Sequence, residues 1–227
     1  MTFRHRGDKD AVYEQLARVG KALASPKRLE LLDLLCQAPR TVEELAELAE
    51  LGVGNTSQHL KQLREARLVE STKRGLYVTY RVASDEVPRF LVAMRGLAEA
   101  QLAELPAAVR RVLGGQRPAE PVDGPELVER VRRGEVVVLD VRPPAEYAAG
   151  HVPGARSIPL PELAARLAEL PADLPVVAYC RGPYCVYAAD AVALLRRHGF
   201  AATRMDQGVA DWHSRGWPLE RCVETRP

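Results

Sequence analysis

Cys180 and Cys185 enclose a short loop whose composition suits thiol chemistry. The apolar run 176–179 is typical of a buried strand, and a helix rich in alanine and leucine follows the loop Cys180-Arg181-Gly182-Pro183-Tyr184-Cys185. Backbone N–H groups of such a loop and the positive end of a helix stabilise a thiolate, so we expect the pKa of Cys180 to lie below its usual value of about 8.5. The same donors would hold an anionic sulfur compound, and Arg181 adds a positive charge. Cys180 is therefore the candidate reactive residue, with a buried structural thiol as the alternative, and the candidate anion-binding loop is Gly182, Pro183 and Tyr184.

Further motifs surround this loop in the sequence. Upstream stand Val-Leu-Asp-Val-Arg at 138–142, Glu-Tyr at 146–147, Gly-His-Val-Pro-Gly-Ala at 150–155 and Ile-Pro at 158–159, and downstream stand Gly208, Trp212, Gly216 and Pro218. In this order the motifs resemble the rhodanese family over about residues 123–219. The resemblance implies that Cys180 accepts a sulfane sulfur as a persulfide and passes it to a second thiol. It also implies that Asp140 and Arg142 border the same pocket, and a structural ion pair is the alternative for these two residues.

Two positions depart from the rhodanese pattern. Cys185 occupies the last position of the loop, where many rhodaneses have arginine, so that a second thiol replaces a charge. We interpret Cys185 as a thiol that resolves the modified Cys180, with simple packing in the first turn of the following helix as the alternative. Gln207-Gly208 stands where a glycine pair is common, and the sequence indicates no function for it.

Short polar side chains followed by basic ones form a second candidate site. At the start of a recognition helix such residues reach base edges, while lysines and arginines bind phosphates. The candidates are Asn55, Thr56, Ser57, Gln58, His59 and Lys61 on the helix and Lys73 and Arg74 at the tip of a predicted wing. Residues 61–81 contain six basic side chains against two glutamates, a local excess that the net charge of +2 conceals. Asn55 and Gln58 also fit a capping box, and a surface histidine without function is the alternative for His59.

The order of elements around these residues resembles the ArsR-type winged-helix repressors over about residues 8–105. The likeness is carried by Ser-Gln-His-Leu-Lys at 57–61, Leu-Arg at 63–64 and Leu-Val-Glu at 68–70. It implies a homodimer that occupies duplex operator DNA and leaves it when a metal or redox signal arrives. The metal-binding cysteine pair and the aspartate and histidine ligands of many members have no counterpart at 41–50 or 87–105, so we expect no metal site. Cys36 is in register with Leu29 and Leu32, which favours a core thiol over a sensor.

The spacing of apolar residues predicts the elements that position the second site. Helices are expected at 11–23, from Pro26 after the cap Ser25, and over about 41–50, where 41–44 match a capping box. The stretch 51–54 is predicted to be a tight turn, with a helix over 55–66. Strands at 69–72 and 76–82 around 73–75 form the wing. A helix over 87–105 ends at Pro106 and packs against the first helix, a partner subunit or both.

A change in composition separates the two halves of the chain. Residues 106–122 contain Gly114-Gly115, Pro118 and Pro121 with few large apolar residues, which is typical of a linker. Beyond them, strands at 136–141 and 176–179 alternate with helices at 126–132, 160–170 and 184–197, which indicates a mostly parallel sheet buried on both faces. We therefore predict a mainly α winged helix-turn-helix domain over 1–105, a linker over 106–122 and an α/β rhodanese-like domain over 123–220.

Length and composition agree with two modest folded domains. The chain has 227 residues, 47% of them hydrophobic and 27% charged, which excludes a disordered chain. Residues 1–10 lack the apolar segment of a secretion signal and the apolar runs are too short to span a bilayer, so we expect a cytoplasmic protein without a membrane partner. Four scattered cysteines do not suit the disulfide framework of a secreted domain. We expect no cofactor.

Three functions remain open at this point. The leading hypothesis is a dimeric regulator that binds operator DNA and whose rhodanese-like domain senses or transfers sulfane sulfur, with a sulfane-sulfur donor and a thiol acceptor as partners. The first alternative is a sulfurtransferase that uses thiosulfate or a persulfide, in which the winged helix mainly dimerises; such an enzyme would not need the basic wing. The second is an arsenic-responsive regulator with a reductase-like rhodanese domain, because a thiolate in an anion-binding loop also suits arsenate.

Overall fold

The computed structural model describes residues 6–114 and 122–222 of the chain. It divides the chain into two compact units, Met1–Val87 and Pro88–Pro227. The division falls inside the helix predicted over 87–105, and the domain boundaries at 105 and 123 stay predictions. Within the described ranges, no helix combines the length and the apolar character that a membrane span needs.

Helices packed around a leucine core form most of the first unit. They are α1 (Arg6–Leu23), α2 (Pro26–Gln37), α3 (Val42–Leu48) and α4 (Val53–Glu65). The predicted capping box is confirmed at the start of α3, because Glu44 donates its N–H to Thr41 Oγ1 at 3.3 Å and Thr41 donates its N–H to Glu44 Oε2 at 2.7 Å. The leucines at the centre are fully buried and are Leu31, Leu32, Leu45, Leu60 and Leu63.

The helix α4 begins two residues before its predicted start. Gly52 occupies the N-cap position in extended backbone, so Val53 and Gly54 are helical instead of belonging to the turn. Thr56 donates both its backbone N–H and its hydroxyl to the Gly52 carbonyl, at 3.0 and 3.2 Å, which closes the first turn. Asn55 therefore lies inside the first turn, and the interpretation of this residue as the helix cap is wrong.

A small antiparallel sheet completes the first unit. Its strands are β1 (Arg40–Thr41), β2 (Val69–Arg74) and β3 (Tyr77–Val82), in the spatial order β1-β3-β2. The wing is present as predicted, but its turn is the pair 75–76, where Gly75 has a φ of 61° that favours glycine. Lys73 and Arg74 pair with β3, so they are strand residues beside the tip instead of the turn itself. The short β1 was not predicted.

Two helices occupy the stretch where one long helix and a linker were predicted. They are α5 (Glu86–Gln101) and α6 (Leu105–Val112). Pro106 stands in the first turn of α6, so this proline starts a helix instead of ending one. Proline suits that place because its ring presets φ and its missing N–H has no helical partner there. The predicted linker therefore begins with a helix, and α5 starts in the first unit and continues into the second.

A four-stranded parallel sheet with helices on both faces forms the body of the second unit. Its elements are α7 (Gly124–Arg132), β4 (Val137–Asp140), α8 (Pro144–Ala149), β5 (Arg156–Ser157), α9 (Leu160–Leu163), a 3-10 helix (Leu167–Glu169), β6 (Val176–Tyr179), α10 (Tyr187–Arg197), β7 (Ala202–Arg204) and α11 (Val209–Ser214). The strand order is β5-β4-β6-β7, which confirms the predicted α/β class. The helix predicted over 160–170 ends at Leu163, and the one predicted over 184–197 begins only at Tyr187.

Alternate residues of the two central strands pack into different cores, as a sheet covered on both faces requires. Leu139 and Ala178 lie in the core that α10 covers. Val138 and Tyr179 lie in the core that α7 and α11 cover. Cys180 follows the last residue of β6 and belongs to the first of these cores, so the sheet presents it at its carboxyl edge.

Gln207 and Gly208 hold the start of α11 against two other segments of the second unit. The Gln207 amide accepts the N–H of Val122 at 3.3 Å and donates to the carbonyl of Val122 at 3.1 Å, so it pairs with both backbone groups of one residue. Gly208 lies so close to the loop after β6 that a Cβ atom there would overlap with the Arg181 carbonyl oxygen. Gly208, for which the sequence indicated no function, therefore packs against the backbone of this loop.

We expect Gly208→Ala to destabilise the second unit by about 1–3 kcal/mol, because the added methyl group meets backbone atoms that no rotamer change can move away. Thermal unfolding of the full chain measures the effect. Gly150→Ala is the matched control, since its Cβ would meet Val209 at an ordinary 3.7 Å. Equal unfolding temperatures for Gly208→Ala and the wild type would contradict the close approach.

Candidate functional site

The candidate thiol site is the loop 180–186 between β6 and α10. Cys180 is only 2% exposed, and Cys185 is half-buried. Cys185 precedes the first residue of α10 by two positions, so it belongs to the loop and its predicted place in the first helical turn is wrong. Both thiols are free and both belong to the same turn of chain.

The two cysteines are in contact. The Cys180 thiol hydrogen-bonds to the Cys185 sulfur, and Cys180 Sγ also lies 3.5 Å from the carbonyl oxygen of Cys185 and 3.9 Å from that of Gly182. Backbone N–H groups point at both sulfurs: those of Gly182 and Ala188 at Cys180, and those of Arg181 and Tyr187 at Cys185. The loop therefore supplies backbone donors, but it divides them between two thiols.

The contact between Cys180 and Cys185 shifts the pKa values of both thiols. Burial raises the pKa of Cys180 well above its usual value, and the neighbouring Cys185 adds to the rise. Donation from Cys180 lowers the pKa of Cys185 to about 7, with help from the backbone donors and the charge of Arg181 and against the effect of burial. The direction of the shift at Cys180 is therefore opposite to the expectation, and the two thiols titrate as a pair whose first proton leaves near neutral pH.

Arg181 is held by a buried carboxylate. Its Nη2 donates to Glu146 Oε1 at 2.7 Å and its Nε donates to both Glu146 oxygens at 3.1 Å, while Glu146 is fully buried at the start of α8. The guanidinium also lies 5.8 Å from the ring centre of Tyr187. Arg181 is thus a fixed charge beside Cys185 instead of the free anion-binding group that the sequence suggested. Glu146 belongs to the rhodanese motif, but its role as the partner of Arg181 was not predicted.

Asp140 and Arg142 do not border the loop pocket, contrary to the resemblance. Both are fully buried, and Arg142 Nη2 donates to Asp140 Oδ2 at 2.6 Å and to the carbonyl of Gly150 at 2.7 Å. Asp140 Oδ2 also accepts the hydroxyl of Tyr179 at 2.6 Å. The alternative of a structural ion pair fits this geometry, because neither side chain reaches a solvent-filled space from which a substrate could enter.

Residues of α5 and α11 border the other side of the loop. The Tyr184 hydroxyl donates to Glu99 Oε1 at 2.9 Å, and Arg95 forms an ion pair with Asp211. Asp211 Oδ2 in turn accepts the N–H of Gly208 at 3.0 Å. A cavity of about 400 Å³ lies beside these contacts and is lined by α6 and Pro183 as well. None of these partners was predicted, because they come from segments far apart in the sequence.

The candidate DNA-contacting residues divide into exposed and buried ones on α4. Asn55, Ser57 and Gln58 are exposed, as is Lys61, which lies 3.9 Å from Glu65. Thr56 is fully buried and its hydroxyl is used within the helix, so it cannot reach a base edge and is withdrawn as a candidate. His59 is half-buried, with its Nδ1 inside the first unit.

The wing carries the predicted basic surface with part of its charge already paired. Lys73 is exposed, whereas Arg81 forms an ion pair with Glu70 at 2.6 Å and Arg64 donates to Ser71 Oγ at 3.3 Å. The side chain of Arg74 lies outside the part of the chain that the structure describes. Lys61 and Arg64 on α4 and Lys73 on β2 are therefore exposed cations of this surface.

Potential metal ligands are scattered in the described residues. Within 6–114 and 122–222, no three histidine, cysteine, aspartate or glutamate side chains are grouped so that they could hold an ion. Cys36 is half-buried on α2, and burial together with Asp33 raises the pKa of its thiol. A protonated, partly enclosed thiol of this kind reacts slowly, which agrees with a packing role.

Comparison with known proteins finds both resemblances that the motifs suggested. Residues 25–71 match the family "Bacterial regulatory protein, arsR family" and residues 124–215 match the family "Rhodanese-like domain". The chain is 43% identical over 212 residues to the HTH-type transcriptional regulator Rv0324 of Mycobacterium tuberculosis, a match that covers 93% of each chain.

Two further relatives each match one half. A sulfurtransferase of Allochromatium vinosum is 32% identical over 99 residues, which are 43% of this chain and 92% of that protein. The arsenic resistance transcriptional regulator ArsR1 of Pseudomonas putida is 36% identical over 107 residues, which are 46% of this chain and 83% of that protein.

We expect the rate of alkylation of Cys185 to rise with pH through about 7, because the thiolate is the nucleophile. Cys180→Ala removes the donor to this thiolate, so the pKa of Cys185 should rise, the midpoint should move to higher pH, and the rate at pH 7 should fall. Peptide mass spectrometry after a pulse of iodoacetamide measures both, with the exposed Cys222 as internal reference. An unchanged midpoint in Cys180→Ala would mean that the two thiols do not share a proton.

Proposed function

Because this chain belongs to the ArsR-type helix-turn-helix transcriptional regulators with a C-terminal rhodanese-like domain, we propose that sulfane sulfur bound at Cys180 controls its affinity for operator DNA. The observation that carries the proposal is the contact between Cys180 and Cys185, which supplies one acidic proton near pH 7. Thiol pairs with a lowered pKa are the usual means by which proteins react with electrophilic sulfur. The regulator would act in the cytoplasm.

Sulfur uptake starts from the proton that the two thiols share. Cys185 accepts the Cys180 proton, and the Cys180 sulfur attacks the terminal sulfur of an organic persulfide, R–S–SH. A new S–S bond forms between Cys180 and this sulfur, the S–S bond of the donor breaks, and R–SH leaves with the proton that Cys185 had accepted, which returns Cys185 to the thiolate. With thiosulfate as donor, the same attack releases sulfite. The product in both cases is a persulfide on Cys180.

Cys185 then acts as the resolving thiol. Its thiolate attacks Cys180 Sγ, the Cys180–Cys185 disulfide forms, and the terminal sulfur leaves as hydrosulfide. Two thiols are thereby oxidised and the sulfane sulfur is reduced by two electrons, so no further oxidant is needed. The contact between Cys180 and Cys185 supports this step, because a resolving thiol must reach the sulfur that it attacks.

A sulfurtransferase enzyme is the second candidate function. The likeness of the rhodanese-like domain to the Allochromatium vinosum sulfurtransferase favours it. In that case an external thiol takes the sulfur from Cys180 and the loop returns to the dithiol in every cycle. Turnover with an excess of donor and acceptor separates the two functions, because a sensor stops after one equivalent of disulfide.

Exposed apolar side chains on α1 and on α5 support DNA binding by a homodimer. On α1 the apolar residues Val12 and Leu16 are 59% and 63% exposed, and on α5 Leu97 is 63% exposed. Rows of exposed apolar side chains are typical of surfaces that a partner covers, and a second copy would cover both helices. A dimer would place two recognition helices about 34 Å apart, one turn of duplex DNA.

Cys180 is expected to be the residue that accepts sulfur. Incubation of the reduced chain with a sulfane donor, followed by intact-mass analysis, should show one added sulfur or, after resolution, a Cys180–Cys185 disulfide. Cys180→Ser should abolish both products, and Cys185→Ser should retain the persulfide and prevent the disulfide. An adduct of undiminished yield in Cys180→Ser would reject Cys180 as the acceptor.

The basic wing is expected to contact phosphates. Replacing Lys73 and Arg74 together by alanine should weaken binding to every duplex and reduce the slope of affinity against salt by about two, one for each lost phosphate contact. Gln58→Ala is the matched comparison, because loss of a base contact on α4 should alter sequence preference and leave the salt slope unchanged. Fluorescence anisotropy at several salt concentrations measures both, and an unaltered slope in the wing variant would reject the contact.

A further inference from the structure

All of α5 after its first two residues belongs to the compact unit that contains the rhodanese-like domain. From Pro88 onward the chain is part of the second compact unit, although its spacing of apolar residues predicted a helix of the DNA-binding domain. Two side chains one helical turn apart, Arg95 and Glu99, contact the loop that carries the thiols or its immediate support. Glu99 and Arg95 also face each other, with Nε and Oε1 3.9 Å apart.

The first contact fixes the residue next to Cys185. Tyr184 donates its hydroxyl to Glu99 Oε1 at 2.9 Å, and burial together with this carboxylate raises the pKa of the phenol, so that it stays a donor. Because Tyr184 immediately precedes Cys185, the position of its backbone determines where the Cys185 sulfur lies. The hydrogen bond to Glu99 thus holds the residue that is next to Cys185 in the chain.

The second contact supports the other half of the same loop. Arg95 is paired with Asp211, which is 5% exposed in its side chain, and Asp211 accepts the N–H of Gly208. Gly208 lies against Arg181, which directly follows Cys180. A series of contacts therefore starts and ends in the thiol loop and passes through α5. In order, its members are Tyr184, Glu99, Arg95, Asp211, Gly208 and Arg181.

We propose that Arg95 and Glu99 of α5 are positioning residues for the Cys180–Cys185 pair and that, through the same contacts, the chemical state of the thiol loop is communicated to α5. The second half of this proposal rests on the proposed function, and the first half does not. Linkage makes the two halves reciprocal: if α5 favours one loop conformation, a modified loop must alter the stability of the contacts with α5.

The surroundings of Tyr184 allow such a change without a clash. The cavity of about 400 Å³ is lined by Tyr184, Glu99 and Pro183 and by apolar residues of α6. Tyr184 is 40% exposed, so its ring has space on one side and a hydrogen bond on the other. A disulfide between Cys180 and Cys185 shortens the sulfur separation to about 2 Å, which requires the backbone around Tyr184 to move.

The test of positioning uses the full chain in its reduced form and needs no sulfur donor. The Cys180 thiol and the Arg181 guanidinium face Cys185, Glu146 faces Arg181 from α8, and Tyr187 of α10 donates its N–H. Tyr184→Phe removes the α5 contact and Glu99→Gln weakens it, because a neutral amide oxygen accepts the hydroxyl less strongly than a carboxylate does, and neither change removes any of these groups. Both should move the midpoint of Cys185 alkylation to higher pH and slow the reaction at pH 7 roughly tenfold, because the loop no longer holds the donors at the sulfur.

The matched control is Glu104→Gln, an exposed glutamate at the N-cap of α6, which should alkylate as the wild type does. Arg95→Gln tests the second contact in the same assay and should change the profile in the same direction. Profiles of Tyr184→Phe and Glu99→Gln that superimpose on the wild type would overturn the positioning role.

The test of communication measures DNA affinity before and after sulfane treatment at one salt concentration and at equal sulfur loading, checked by mass spectrometry. The wild type and Glu104→Gln should show the same change in affinity, and Tyr184→Phe should show less than a third of it. A full change in Tyr184→Phe at equal loading would overturn the communication. A wild type that takes up no sulfur would instead reject the proposed function, and the alkylation profiles would still decide the positioning role.

Discussion

The ion pair between the buried Glu146 and Arg181 anchors the thiol loop. Asp140 and Glu146 are both inaccessible to solvent, and a buried carboxylate that lacks a cation and hydrogen bonds costs several kcal/mol. Asp140 is paired within its own strand end by Arg142, but Glu146 is paired by Arg181, which lies 35 residues further along the chain. Because Arg181 follows Cys180 directly, this ion pair anchors the first half of the loop. The second half then turns back over Cys180, and the contact between the two thiols follows from that turn.

Sulfur chemistry has two requirements that one cysteine cannot meet in one place. In this loop the buried Cys180 meets the first and the half-buried Cys185 meets the second. A persulfide must be protected from solvent and from stray thiols, which favours an enclosed sulfur. A thiolate must be hydrated or hydrogen-bonded, which disfavours the same place. The pair resolves the conflict because the enclosed thiol donates its hydrogen bond to the more accessible one. A serine or an arginine at position 185 would meet one requirement only.

Local signals predicted the elements well where the cause of a boundary is local. The capping box before α3, the wing and the buried strands β4 and β6 depend on residues within a few positions of each other, and all are present. Pro106 was misjudged because proline suits the first turn of a helix as well as the residue after one. The start of α4 was misjudged because its cap residue is Gly52, which has no side chain that could mark the start of a helix. Partners such as Arg95 and Asp211, 116 residues apart, leave no local pattern from which the support of the thiol loop could be predicted.

The pairing of Gln207 with Val122 gives the second unit a mechanical property. Both hydrogen bonds of the amide are made to one residue, which lies just before the start of α7. A displacement of the Val122 backbone would therefore act on both hydrogen bonds at once and, through them, on Gln207. The next residue, Gly208, rests on the Arg181 carbonyl. A displacement of Val122 would thus be passed through Gln207 and Gly208 to the backbone beside Cys180.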